Sequence, residues 1–265
     1  MKELMINNKL VIGMVHLPAL PGSSSFNDDS DLSKTIKSVL DDLDALQSGG
    51  IDAVMFGNEG DRPYSLKASN STLAAMAYVI GQVKKNIKVP FGVNYLWDPY
   101  ATVALGSVTN ADFAREVFTG VYDSDMGLWQ PSASKALELR SNLNNKKLKL
   151  MFNVNAEFAS PLGNRPTSEK AESAVFSSLA DAICVSGVIT GKAVNIKDLK
   201  ETKEKVKSTP VFANTGVNIE NIEEIFEIAD GCVIGSSLKY KGVTWNNIDP
   251  ERVKKFMDKV NNLRN

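Results

Sequence analysis

Short apolar runs rich in Val, Ile and Phe recur along the whole chain, at residues 10–15, 51–56, 90–94, 111–118, 148–153, 181–185, 210–213 and 231–234. Between most of them apolar positions fall at helical spacing, which predicts strands alternating with amphipathic helices. Leu32, Ile36, Val39, Leu40, Leu43 and Leu46 form the stripe of the first helix, and Gly49-Gly50 ends it. Asn218 predicts the N-cap of a later helix whose apolar face is Ile219, Ile222, Ile225 and Phe226, with Glu220, Glu223 and Glu224 near the positive end of its dipole. Asp249 and Pro250 open the last helix, which buries Val253, Phe256, Met257 and Val260. Lys and Glu alternate over 197–207, the mark of a solvated helix face.

Eight strands alternating with helices is the number that closes a parallel barrel. The chain has 265 residues, close to the roughly 250 that such a barrel uses. The predicted fold is therefore α/β, a single (β/α)8 TIM barrel over residues 1–265, and no Gly/Ser linker divides it. The rival topology is an open doubly wound sheet. Against it, no GxGxxG follows the first strand, where a dinucleotide fold needs close backbone approach to a pyrophosphate.

Composition narrows the class. Apolar residues make up 43% and charged residues 23%, the profile of a globular chain rather than a disordered one. Thirty basic against thirty-one acidic side chains leave a net charge of -1, which gives no global field toward nucleic acid or an anionic membrane. Any anion site must be local. No apolar run approaches the roughly 20 residues that span a bilayer, and residues 1–9 lack the apolar stretch of a signal peptide, so the expectation is a cytoplasmic protein without a membrane span. Cys184 and Cys232 lie inside apolar runs and form no CxxC pair, as expected of core thiols. The oligomeric state stays open, a homo-oligomer through outer helices or loops being a form that barrels often take.

In a parallel barrel every strand-to-helix loop opens on one face, so polar residues just after the strands converge. His16 ends the first strand, Glu59 and Asp61 follow the second, and Asn94 ends the third. Arg115 lies in the fourth, which runs on to Asp125, while Asn155 and Glu157 follow the fifth. Carboxylates on separate strands can face each other to move protons or to hold a divalent cation such as Mg2+, although acidic residues also serve loops as caps and turn formers. Glu59, Asp125 and His16 are the expected catalytic groups, with Glu59 and Asp125 also the candidate metal-holding pair. Asn94, Arg115, Asn155 and Glu157 would orient the substrate. His16 is the only histidine; it either exchanges protons or makes a structural hydrogen bond at the rim, and it cannot build a His-rich zinc site. A serine hydrolase is weakly supported, since no GxSxG elbow is present.

The loops after the last two strands are where such barrels commonly bind phosphate. Glycine permits close approach there, and exposed amides with Ser or Lys side chains supply donors and charge. Asn214, Gly216, Gly235, Ser236 and Lys239 are the candidate phosphate ligands, and a phosphorylated small molecule is the expected partner. Lys192 or Lys239 would be needed for a Schiff-base aldolase, a weaker reading because no lysine lies at a predicted strand end.

Several of these segments together resemble the BtpA/SgcQ family nearly end to end. They are Gly13-Met14-Val15-His16-Leu17-Pro18, Gly57-Asn58-Glu59-Gly60-Asp61, Gly92-Val93-Asn94, Arg115-Glu116-Val117-Phe118-Thr119-Gly120-Val121-Tyr122 and Ile234-Gly235-Ser236. The resemblance implies a TIM barrel, a role in photosystem I biogenesis for photosynthetic members, and an enzyme of sugar or nucleoside metabolism for others. The chain departs from the family's commoner Asp-Gln-Gly with Asp125-Met126-Gly127, and has Asn155-Ala156-Glu157-Phe158 where many relatives carry a His/Lys-containing segment. Two readings follow: an enzyme acting on a phosphorylated sugar or nucleoside-derived compound by proton transfer or bond cleavage, and a non-catalytic assembly factor. The second requires an exposed apolar patch.

Overall fold

A computed structural model describes residues 9–27 and 31–264; residues 1–8, part of the segment read above as lacking a signal peptide, lie outside the described residues. The first half runs β1 (Leu10–His16), α1 (Leu32–Ser48), β2 (Ala53–Gly57), α2 (Asn70–Val83), β3 (Phe91–Asn94), α3 (Pro99–Thr109) and β4 (Phe113–Glu116). A hairpin follows, β5 (Tyr122–Ser124) and β6 (Gly127–Trp129), then α4 (Ala133–Asn142), β7 (Lys149–Asn153) and β8 (Ala159–Pro161). The chain closes with α5 (Thr167–Phe176), β9 (Ala182–Val185), α6 (Ile196–Lys205), β10 (Val211–Ala213), α7 (Ile222–Ile228), β11 (Gly231–Ile234) and α8 (Pro250–Arg264).

The eight predicted runs all carry barrel strands, in the order β1-β11-β10-β9-β7-β4-β3-β2, closed and parallel. Side chains alternate along a strand, so each strand feeds two cores. Leu10, Ile12 and Met14 point into the barrel with Met55, Phe113, Met151, Cys184, Phe212 and Val233. Val11, Val15, Val54 and Phe56 point outward into the larger core beneath the helices. Gly92 lets Phe113 fill the barrel, since a Cβ there would fall 2.1 Å from its ring. Cys184 and Cys232 are buried and unpaired, one in each core.

Of the helix ends read from the sequence, those of the first and last helices form as expected and that of the helix before the last does not. Asp31 caps α1 by accepting from the Lys34 N–H at 2.8 Å, and Gly49 ends the helix. Asp249 accepts from the N–H of Glu251 at 3.0 Å and opens α8. Asn218, expected as the cap of the helix before the last, instead accepts from Glu220 and Asn221 N–H groups at 2.9 and 3.0 Å and closes a turn ahead of α7. The helix starts only at Ile222 because Asn221 folds back, accepting from the Asn218 N–H and donating to the Gly216 carbonyl.

Outside the barrel, β6-β5-β8 form a three-stranded antiparallel sheet that the apolar pattern did not predict. Its inner face sets Tyr122 and Trp129 against Leu96, Trp97, Val117 and Ala156. The Trp97 and Trp129 rings stand 5.6 Å apart, edge to face. This aromatic cluster walls one side of the barrel mouth. Among the described residues no helix is long and apolar enough to cross a membrane.

Candidate active site

The alternation that fills the barrel with apolar side chains also delivers a polar layer above them. His16 continues the inward series of Met14, Asn94 that of Gly92, Arg115 that of Phe113, Asn153 that of Met151, Asn214 that of Phe212 and Gly235 that of Val233. All lie at carboxyl ends of strands or just beyond. A cleft of about 310 Å³ opens over this layer, with Met14 and Val233 in its floor and Leu96 and Trp97 in one wall. His16, Glu59, Arg115 and Glu157 line it, together with Asn214, Gly216, Gly235 and Ser236 from the two loops expected to bind phosphate.

At its centre His16 Nε2 lies 3.3 Å from Glu59 Oε1, both side chains nearly closed to solvent. Burial pushes the imidazole well below its ordinary pKa of 6.5, and the nearby Lys239 and Arg115 cations push the same way, so His16 is neutral. Burial raises Glu59, and the Arg115 charge offsets part of that. Glu157 is raised to about 7, again by burial first, with Arg115 opposing it. The Thr190 hydroxyl donates to Glu157 Oε2 at 2.9 Å.

Arg115 is itself buried and donates to Asn94 Oδ1, while Asn94 Nδ2 donates to Glu116 Oε2 at 3.3 Å. Burial raises Glu116 to about 8. One guanidinium thus stands among three carboxyl groups, Glu59, Glu116 and Glu157, each raised by burial and each opposed in part by the Arg115 charge. Arg115 Nε, Glu116 Oε1 and Glu59 Oε2 are buried without a hydrogen-bond partner.

Other expected site residues lie elsewhere. Asp125 is exposed in the turn between β5 and β6, outside the cleft lining, because the hairpin turns it away from the mouth. It does not pair with Glu59, and among the described residues no group of three His, Cys, Asp or Glu side chains is placed to hold a metal. Asn94 lies beneath the cleft, holding Arg115 and Glu116. Asn155 is clamped to the Ser186 backbone, donating to its carbonyl and accepting from its N–H at 2.8 Å, so it ties two loops together. Asp61 accepts from Leu20 N–H and Asn58 Nδ2 at 2.8 and 3.0 Å, a structural role.

The glycines of the phosphate loops have packing reasons of their own. Gly216 has φ +62°, and a Cβ there would fall 2.2 Å from Ala193 N, so the loop after β9 rests on it. A Cβ on Gly235 would lie 3.1 Å from His16 Cε1, so the imidazole packs over this glycine. The Ser236 and Thr244 hydroxyls share a hydrogen bond of 2.7 Å. Lys239 is 2% exposed and donates from Nζ to the Asn246 carbonyl at 2.9 Å, lining a neighbouring cavity rather than the cleft. Thr190, Thr215, Ser237 and Arg252 line the cleft without having been singled out from the sequence. Thr190, Thr215 and Ser237 sit in turns whose Ser and Thr content reads as ordinary turn chemistry, and Arg252 lies in the first turn of α8, where a charged residue reads as a solvated helix position.

Comparison with known proteins agrees with this architecture. The chain is 46% identical to the sgc region protein SgcQ of Escherichia coli K12, over all of this chain and 98% of that protein. It is 32% identical to the photosystem I biogenesis protein BtpA of Synechocystis, over 94% of this chain and 86% of that one. A solved structure of Mycobacterium tuberculosis tryptophan synthase superposes with a TM-score of 0.60 at 14% identity, over 96% of this chain and 93% of that one, which shows the shared fold. The profile of the BtpA family matches residues 7–262, and with relatives this similar over most of their length the chain belongs to the BtpA family.

Proposed function

We propose that the protein is an enzyme of sugar or nucleoside metabolism that acts on a phosphorylated small molecule by acid/base chemistry, with proton transfer at, or next to, the bond that breaks. The observation that carries this reading is the 3.3 Å approach of His16 to Glu59 in the cleft that Glu157 and the loops after β10 and β11 also line. A general acid or base works best with a pKa near the operating pH, which is where Glu157 stands at about 7. Glu59 gives a proton to the substrate or takes one from it, and neutral His16, 3.3 Å away, orients that carboxyl. Arg115 stabilises negative charge that develops on the substrate, and backbone amides around Gly216, Gly235 and Ser236 hold its phosphate.

A thermal-shift panel of sugar phosphates and nucleotides, with and without Mg2+, tests this reading. A ligand at about a hundred times its Kd adds roughly 2.7 kcal/mol, on the order of 5–10 °C for a chain of this size. Glu59→Gln should keep the shift and lose turnover. If no phosphorylated compound shifts the melting temperature, the reading fails.

A second reading, an assembly factor, is favoured by the outer face of the three-stranded sheet, where Val121, Leu128 and Leu162 are 40, 60 and 62% exposed. The 32% identical relative named for photosystem I biogenesis fits it too. Under this reading Leu128→Asp with Leu162→Asp abolishes a complex that Glu59→Gln leaves intact. The reverse pattern rejects it.

A further inference from the structure

Beside the cleft, on the far side of His16, lies a cavity of about 260 Å³ between the loops after β1, β2 and β11. His16 and Thr244 line both spaces, so the two are neighbours across one imidazole. The walls are tightly built. A Cβ on Gly60 would fall 2.3 Å from Ala19 N, so the β2 loop lies directly on the β1 loop. Across the rim the Arg62 guanidinium stacks 3.8 Å over the Trp245 ring.

Lys239 lines this cavity. Its side chain is almost fully buried, and among the described residues its ammonium bonds one acceptor, the Asn246 carbonyl. Among the described residues the other two ammonium donors have no hydrogen-bond partner, and no carboxylate lies within ion-pairing distance. The acid of the lining, Asp42, accepts from Ile248 N–H at 2.8 Å and Asn247 Nδ2 at 3.1 Å, both at Oδ1, and its charge and that of Glu59 act on Lys239 from beyond ion-pairing distance. A buried ammonium so sparsely satisfied is costly unless an anion completes it. With Arg62 at the rim, the lining carries two cations against one engaged carboxylate.

We propose that the cavity around Lys239 is a second anion subsite, taking the distal acidic group, phosphate or carboxylate, of a two-ended substrate whose phosphate sits at the Gly216 and Ser236 loops and whose reacting centre faces His16. The proposal rests on the acid/base reading above and adds a substrate class to it: compounds with an acidic group at each end. Lys239 then leaves the phosphate set of the cleft, where the sequence placed it, and serves the opposite end of the ligand.

Titration calorimetry with methylphosphonate, ethane-, propane- and butane-diphosphonate, and 3-phosphonopropionate tests this on wild type, Lys239→Met and Arg62→Ala. Wild type should bind at least one two-ended compound tenfold or more tighter than methylphosphonate. Lys239→Met should erase that preference while keeping methylphosphonate binding, and Arg62→Ala, an exposed change that does not depend on the core, should weaken it several-fold. Tighter binding of diphosphonates than of phosphonopropionate assigns the distal group as phosphate, and the reverse order as carboxylate. If wild type binds methylphosphonate without preferring any two-ended compound, or both variants keep the preference, the subsite is wrong and the acid/base reading survives. If neither class binds wild type, both the subsite and the phosphate reading of the cleft are wrong.

Discussion

The carboxylate of Glu59 occupies the space that a side chain at residue 57 would need: a Cβ on Gly57 would fall 2.4 Å from Glu59 Oε2. The missing side chain at the end of β2 lets Glu59 fold back over the barrel mouth to meet His16. Gly57→Ala is therefore a positioning lesion. It should lower kcat by about 10²- to 10⁴-fold, the loss expected also of Glu59→Gln, while the melting temperature falls by only a few degrees. The alkaline or acid limb that Glu59 gives to the pH–rate profile should move with it. Unchanged turnover in Gly57→Ala would show that Glu59 does not act from this position.

Because His16 is the only histidine, its imidazole Cε1–H resonance needs no assignment. Burial, with Lys239 and Arg115 adding to it, holds the ring neutral. The resonance should stay flat from pH 8 down past the ordinary midpoint of about 6.5. A midpoint at or above that value would contradict the buried, neutral ring.

The raised carboxyl groups make stability pH-dependent with a definite sign. Glu116 and Glu157 have folded-state pKa values of about 8 and 7, above the ordinary 4.5 of an unfolded chain. The folded state therefore binds more protons across that window, and their contribution is present below pH 4.5 and lost as pH rises toward 8. His16, lowered, opposes this below about 6.5, where the unfolded chain takes up a proton that the folded one refuses. Glu116 and Glu157 together outweigh one lowered imidazole, and raised Glu59 acts in the same direction as they do, so net stability should fall from pH 5 to pH 8. Glu116→Gln, which keeps an acceptor for Asn94 Nδ2, should melt above wild type at pH 8.5 and close to it at pH 5. Parallel melting curves at every pH would contradict a protonated Glu116.

The barrel was legible in the sequence because each strand of a closed parallel sheet is apolar on both faces and each helix carries a stripe. The same alternation, extended one step past Met14, Phe113 and Phe212, points His16, Arg115 and Asn214 into the mouth. What it does not report is where an insertion turns. Strands β5, β6 and β8 are three residues each, too short for a period to register, so Asp125 read as a rim residue when the hairpin carries it outward. Lys239 was misplaced for a related reason. It follows a short 3-10 turn, Ser236–Leu238, and the bridge from Lys239 to Ile248 directs it toward the β1 loop. Glu116 escaped assignment because, on a strand, it shares the outward parity of Ala114 and Phe118 rather than the inward one of Arg115.

The most direct test of the central claim follows a phosphorylated compound that wild type binds, by proton NMR in D2O, with wild type, Glu59→Gln and Asp125→Asn. Solvent deuterium entering the compound, or cleaved product, should appear with wild type and within about twofold of that rate with Asp125→Asn. With Glu59→Gln the rate should fall by about 10²- to 10⁴-fold. Equal rates with and without the Glu59 carboxylate, or binding with no turnover of any compound, would contradict acid/base catalysis at the barrel mouth.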